Sequence, residues 1–355
     1  MRREPLYWED VEEGASLPPI VYELSLTRMV AAVRATGLFD FVHFDRDYAR
    51  AAGARDAFIS TPHLGGLLGR LLTDWSGPHA DLRSLSFTMS SPSCAGDVLT
   101  VSGRVGRKSI TESGERRVDI VDLKVSHAHA PQAASGEATL ALPSRTAGAV
   151  QPAEMARALA LPDPDPQMPD AARAMLGQVK PAGDHTGRPL TEDEIHLWCE
   201  CLEDWNPLYW DHDFAKASRF GGIVAPPQGT FFGAGSSARM GIGYAKPGVE
   251  PPAAVTQGLT GLPLLNRLRE DAMRANLAFT LPGFPEVAVA RARSDYYVPL
   301  RPGDTVRTTQ QLVNCSARKK TRFGEGHFVT LVRTTCNQRG EIVRTITMTI
   351  LHYHA

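Results

Sequence analysis

No apolar run in the sequence approaches the roughly 18 residues that a membrane-spanning helix needs. Neither sign of charge is in excess: 38 basic and 39 acidic residues leave a formal net charge of -1, so no general field draws in nucleic acid or an anionic membrane. An anionic ligand must therefore be met by a local basic cluster. Cysteine is sparse and odd in number. Cys94, Cys199, Cys201, Cys315 and Cys336 offer no disulfide framework and point to a reducing compartment. Cys199 and Cys201 lack a second Cys or His pair at ligand spacing, and two positions apart on a helix they turn to different faces, so no metal site is expected. The opening MRREPLYWEDVEEG turns acidic and aromatic at once, without an apolar stretch of signal-peptide length. Together these features lead us to expect a soluble, cytoplasmic chain that engages neither nucleic acid nor membrane.

What is present is a repeat. A length of 355 residues suits two domains of ordinary size, and the Ala/Pro/Asp-rich segment 143–177 shows no strand alternation and reads as a linker with one or two short helices. On either side the same features recur in the same order. A helical stretch after Thr27 runs into TGLFDFVHFDRDYARAAGARDAF, and one after Thr191 runs into CLEDWNPLYWDHDFAKASRFGGIV. A shift of 166 positions superposes His43 on Tyr209, Asp45 on Asp211, Tyr48 on Phe214 and Ala49 on Ala215. An apolar, Gly-rich helix is expected from Ser60 and again from Pro226, its stability coming from packing inside a sheet. Each half then reaches a Gly-Asp turn (Gly96-Asp97, Gly303-Asp304) and long Val/Ile/Thr-rich alternating runs, the pattern of antiparallel strands covered on one face. The interval from Asp211 to Gly303 is 92 positions against 51 from Asp45 to Gly96, which implies an insertion in the second half near 236–280 with an amphipathic helix near Leu264 to Ala275. The organisation expected is 1–142, linker 143–177, and 178–355, each half α+β.

The runs Asp204-Trp205-Asn206-Pro207-Leu208-Tyr209-Trp210-Asp211, Phe214-Ala215 and Ile223-Val224-Ala225-Pro226-Pro227, with their first-half counterparts Leu38 to Asp45, Tyr48-Ala49 and Phe58 to Pro62, resemble the MaoC-like (R)-specific enoyl-CoA hydratase and dehydratase family. That family carries G-D-x-N-P-h-H-x-D-x-x-[FY]-A, then I-[AV]-H-G-M at the start of a buried helix. The resemblance spans roughly 5–142 and 178–351. It implies two tandem hotdog domains, each a curved antiparallel sheet wrapped around a central apolar helix, and a lyase that adds or removes water across the α,β-double bond of an acyl thioester. The substrate implied is an acyl-CoA or acyl-carrier-protein thioester. No cofactor is implied, coenzyme A entering only as part of the substrate. A homodimer, or a heteromer with another hotdog subunit, is the quaternary expectation.

In the family the aspartate and histidine of the first motif are the acid–base pair, and the glycine amide at the helix start holds the thioester oxygen. This sequence departs from the pattern in both halves. In the second, Asp204 and Asn206 match, but Tyr209 replaces the histidine and Pro227 replaces the glycine, leaving no N–H to give. In the first, His43 is in place and Thr61 keeps its amide, while the aspartate is Leu38 and the nearest carboxylate is Asp40. The candidate site is therefore His43, Asp40 and the Thr61 N–H, with Asp204, Asn206 and Tyr209 as an alternative or vestigial second site. His63, one helical step past Pro62, and the basic run containing Arg318, Lys319 and Lys320, read as a turn between two strands, are candidate substrate contacts. Three readings stay open: a hydratase or dehydratase, a catalytically disabled hotdog pair that binds a thioester or supports a partner hydratase subunit, and a different reaction in the same pocket.

Overall fold

A computed structural model describes residues 4–38, 40–51, 53–151, 163–182, 188–229, 279, 281–284, 286–321 and 324–354. The expected insertion near 236–280, its helix, and the continuation of the helix expected from Pro226 lie outside the described residues, apart from Phe279 and the turn Pro227–Gly229.

In chain order the first half contains β1 (Ile20–Glu23), α1 (Leu26–Thr36), α2 (Arg46–Ala51), α3 (Thr61–Ser76), β2 (Asp81–Met89), β3 (Val98–Ile110), β4 (Arg116–His127) and β5 (Ala130–Ala141). A short α4 (Asp170–Arg173) follows in the connecting segment. The second half contains β6 (Val179–Pro181), α5 (Glu192–Leu202), α6 (Pro207–Trp210), α7 (His212–Ala217), β7 (Glu286–Tyr296), β8 (Val306–Cys315), β9 (Lys319–Thr321), β10 (Gly324–Asn337) and β11 (Ile342–His354). The strands form one antiparallel sheet in the order β1-β3-β4-β5-β2-β7-β11-β10-β8-β6, with β9 paired to β10. The halves meet edge to edge where β2 pairs with β7, from Ser84↔Asp295 to Phe87↔Ala292. Each half thereby covers the other's open strand edge, which would otherwise present unpaired backbone groups.

The duplication extends to individual hydrogen bonds. Leu24 N–H reaches Asp97 O at 2.9 Å and Gly96 N–H reaches Leu24 O at 2.8 Å, while Leu190 N–H reaches Asp304 O and Gly303 N–H reaches Leu190 O, both at 2.8 Å. Both Gly-Asp turns need their glycine, since φ is 93° at Gly96 and 90° at Gly303.

The helix α3 is the centre of the main core. Ser60 caps it by accepting the His63 N–H, and Pro62 sits in its first turn, where a missing N–H costs nothing. Leu64, Leu67, Leu68, Leu71 and Leu72 are all buried, each worth about 1.5–3 kcal/mol. The glycines that make the sequence a poor helix are required by close approach. A Cβ on Gly66 would stand 2.7 Å from Trp198 and one on Gly69 2.6 Å from Gln228, so the face of α3 that these two positions share is squeezed against the second half. The two cysteines of α5 point to different sides yet are both buried, because α5 packs against α1 and α3 together. No described helix is long and apolar enough to cross a membrane.

Candidate functional site at the start of the first buried helix

The chain leaves α1 through Gly37, left-handed at φ 67°, and enters a 3-10 turn, Phe41–His43. Asp40 caps that turn: its Oδ1 accepts the Val42 N–H at 3.3 Å and its carbonyl accepts the His43 N–H at 2.9 Å. His43 is 8 % exposed. Its Nδ1 lies 2.8 Å from the Phe58 carbonyl, and its ring meets the Phe58 ring edge to face at 5.3 Å. A carbonyl only accepts, so Nδ1 carries the proton and, in the neutral ring, Nε2 carries the lone pair. Phe58 is fixed in turn by its own N–H, 3.0 Å from Val42 O.

Three residues beyond Phe58, α3 begins. The Thr61 N–H occupies the first helical position, where no preceding helical carbonyl can accept it and the helix dipole favours negative charge. The Thr61 hydroxyl, 3.5 Å from Met89 Sδ, belongs to an exposed side chain. His63, two positions on, is fully buried. Its Nε2 is 3.0 Å from the Tyr22 hydroxyl, which donates to the Cys201 carbonyl of α5 at 2.5 Å. Desolvation first, then the proximity of His43, pull the pKa of His63 down to about 3, so it stays neutral and serves as a hydrogen-bonding group. The structure thus brings His43, Thr61 and His63 together. Tyr22, whose alternating strand pattern reads as plain core, is a partner the sequence did not single out.

The second half builds the same scaffold with different chemistry. Asn206 caps the Leu208 N–H at 3.1 Å as Asp40 caps Val42, and the Val224 N–H reaches Leu208 O at 3.2 Å as Phe58 reaches Val42. Asp211 caps Phe214 at 3.0 Å as Asp45 caps Tyr48 at 2.9 Å. Asp40 is therefore the positional equivalent of Asn206, and Leu38 that of Asp204. Tyr209, 3 % exposed, stands in place of His43. Pro227, in place of Thr61, has no N–H. With Asn206 and Tyr296 these residues line a cavity of about 60 Å³, which has room for about two waters.

Asp204 is fully buried. Its Oδ1 accepts the Asn206 N–H at 3.2 Å, while Oδ2 meets no donor among the described residues. Burial, and secondarily the carboxylate of Asp74, lift its pKa from 3.8 to about 7. The folded state therefore holds a proton that the unfolded state releases near pH 4, and stability falls as pH rises from about 4 through about 7. Asp204→Asn keeps the acceptor and removes the titration. Urea unfolding should show the variant gaining on the parent chain as pH rises from 5 to 7, by up to about 1.4 kcal/mol per pH unit. A parallel pH profile for the two proteins would show that Asp204 is ionised throughout.

The basic run does not form a simple turn: Lys319 and Lys320 belong to β9, paired with Gly326 and Glu325, and Arg318 is tied to Glu325 at 2.7 Å. The register places this hairpin at the same end of the sheet as Met89 and Thr61, since the end of β2 runs beside the starts of β7 and β10. Among the described residues no cluster of three or more His, Cys, Asp or Glu side chains is arranged to hold a metal.

The sequence profile of the FAS1-like dehydratase domain region matches residues 184–346. The chain is 39% identical over 92 residues to the 3-oxo-4,17-pregnadiene-20-carboxyl-CoA hydratase beta subunit of Mycobacterium tuberculosis, covering 26% of this chain and 71% of that protein. It is 30% identical over 179 residues to a probable enoyl-CoA hydratase alpha subunit of Thermomonospora curvata, covering 50% of this chain and 48% of the relative, so it spans about half the length of that protein. Among solved structures, a putative MaoC domain protein dehydratase from Chloroflexus aurantiacus superposes over 100% of this chain and 99% of its own with a TM-score of 0.65 at 11% identity, which speaks for the fold alone. With the doubled overhang, the buried helix and the joined sheets, these similarities establish that the chain belongs to the MaoC-like hydratase and dehydratase family, as a fused double hotdog.

Proposed function

We propose that the protein is an acyl-thioester hydratase or dehydratase, acting on an acyl-CoA, with a single active site in the first half. The observation that carries this reading is the asymmetry of the two overhangs. His43 has its Nδ1 proton committed to Phe58 O, and the Thr61 N–H heads a buried helix. The second half has Tyr209 and Pro227 at those places.

In the hydration direction Nε2 of His43 takes a proton from water as its oxygen bonds to the β-carbon. The electron pair moves onto the thioester oxygen, where the Thr61 N–H and the α3 dipole stabilise it, and as the carbonyl re-forms the proton held on His43 Nε2 passes to the α-carbon, restoring the neutral imidazole. Asp40 orients or assists His43 from the cap of the turn that carries it. His63 packs beside them as a wall of the acyl channel, and Arg318, Lys319 and Lys320 meet the phosphates of coenzyme A. The reaction asks for no cofactor. The second half, with Asp204, Asn206 and Tyr209 as a structural bracket, serves as a scaffold, and the chain assembles as a homodimer or with another hotdog subunit, a reading supported by relatives named as alpha and beta subunits.

The deciding experiment is hydration of crotonyl-CoA and longer enoyl-CoAs, measured beside binding of the matching saturated thioesters, for the parent chain and for Asp40→Asn. Hydration by the parent, with Asp40→Asn reduced in turnover and unchanged in binding, is the expected result. A parent chain that binds yet hydrates nothing would make it a thioester-binding member of the family.

A further inference from the structure

The antiparallel join of the two halves sets each half's first long hairpin beside the other half's overhang. The connection from β8 to β10, with Arg318, Lys319 and Lys320, lies at the end of the sheet that holds Thr61. The connection from β3 to β4 is its counterpart, since β3 follows the Gly96-Asp97 turn as β8 follows Gly303-Asp304. It lies at the opposite end of the sheet. There Arg117 pairs with Ala141, Ala141 with Asp81, and Ser84 with Asp295, one residue from Tyr296. Tyr296 lines the cavity of Tyr209 and Pro227. The second-half overhang therefore has a basic hairpin of its own, supplied by the first half.

A cleft of about 1130 Å³ opens at this hairpin. Arg83, Arg116, Arg117 and Arg293 line it against the carboxylates of Glu115 and Asp295, so positive charge is in excess. Glu115 is shared by Arg83 and Arg117, each at 2.5 Å, and Asp295 holds Arg293 at 3.0 Å. Asp81, on the neighbouring wall, is shared by Arg83 and Arg219. Arg116 donates to the Gly114 carbonyl, and among the described residues it enters no ion pair. The cleft and the Tyr209 cavity have Arg83, Tyr296 and Tyr297 as common walls, so one molecule can reach into both. The two differ greatly in size. At about 60 Å³ the inner cavity admits a small group and no long acyl chain, whereas the cleft exceeds the roughly 300–1,000 Å³ of ordinary small-ligand sites and holds a nucleotide-sized head.

We propose that this cleft is a second, non-catalytic ligand site, in which Arg116, Arg117 and Arg293 hold the phosphates of free coenzyme A and its thiol end points toward the Tyr209 cavity. The choice of coenzyme A rests on the thioester-hydratase reading, in which Arg318, Lys319 and Lys320 meet the phosphates at the matching place; the anion cleft itself rests on its lining. Guanidinium groups suit phosphate because their planar fork gives two parallel charge-assisted hydrogen bonds. Tyr209 and Pro227 leave this half without the imidazole and the amide that the first half has, so a ligand held here is bound and not transformed. Any other nucleotide or inorganic phosphate shares the anionic chemistry and is the alternative source.

Calorimetric titration of the full chain with free coenzyme A, octanoyl-CoA, adenosine triphosphate and inorganic phosphate separates these cases without requiring turnover. Free coenzyme A should bind in two events per chain, and octanoyl-CoA in one. Arg116→Gln should weaken one coenzyme A event by roughly tenfold or more, as the loss of a charge-assisted contact warrants, and leave the other event and enoyl-CoA turnover unchanged. Lys319→Gln should weaken the other event instead. Arg293→Gln, acting on the same event as Arg116→Gln, serves should the first variant fail to fold. A single coenzyme A event that is indifferent to both Arg116 and Arg293, with no nucleotide or phosphate binding that depends on them, overturns the site. Adenosine triphosphate or phosphate binding that disappears in Arg116→Gln, without a second coenzyme A event, retains the anion cleft and overturns coenzyme A as its occupant. Two coenzyme A events in a chain that hydrates no enoyl-CoA keep this site and sink the hydratase reading.

Discussion

His43→Ala should lower hydratase turnover by roughly 10² to 10⁴, the range for a positioned acid–base group, with thioester binding nearly unchanged. The imidazole bridges the 3-10 turn and the Phe58 carbonyl, so its role divides into holding that bridge and presenting Nε2. His43→Asn separates the two, because its amide can still donate toward Phe58 while offering no basic nitrogen. Asparagine should leave thermal stability near that of the parent and turnover as low as alanine. Tyr209→Phe, in the equivalent second-half position, should alter turnover by less than about threefold, since a buried phenol is held far above neutral pH and does not exchange protons there. A larger loss from Tyr209→Phe than from His43→Ala would move the chemical site to the second half.

Thr61→Pro should abolish most of the remaining catalysis while leaving the fold intact. The substitution removes one backbone N–H and nothing else of consequence, because the Thr61 side chain is exposed and its hydroxyl has only a weak contact with Met89. Proline is tolerated at the first position of a helix, and the second half already carries Pro227 at the matching place. Losing one donor to a developing oxyanion costs about 10² to 10³ in turnover. Thr61→Ala, which keeps the amide, should retain activity within a few fold. Equal activity of the proline and alanine variants would mean that the thioester oxygen is held elsewhere; an equal loss in both would assign the effect to the side chain.

The repeat was legible because its signals are local. The Gly-Asp turns, the helix starts after Thr191 and at Ser60, and the matched runs around Asp45 and Asp211 each depend on residues within a few positions of one another, and the structure gives those helix starts and runs local cap hydrogen bonds. The register between Asp40 and Asn206, read from sequence spacing, coincides with matched cap hydrogen bonds. The helix α3 was legible as an element, but the need for Gly66 and Gly69 was not, because Trp198 and Gln228 approach it from more than 100 positions away.

The sequence by itself determined that the chain is a doubled α+β unit, that the second half has Tyr209 and Pro227 where the family pattern has histidine and glycine, and that the first half has His43 and, at Thr61, a residue with a backbone N–H. Such conclusions follow from residue identity at fixed spacing, which folding does not alter. Only the tertiary structure decided which nitrogen of His43 bears the proton, that Tyr22 ties His63 to α5, and that Asp204 is desolvated enough for its pKa to rise to about 7. Each of these depends on a partner supplied by a distant strand or helix. The physical reason is that tautomer, proton affinity and buried charge are set by the dielectric and the donors around a group, and those exist only once the sheet has closed over it.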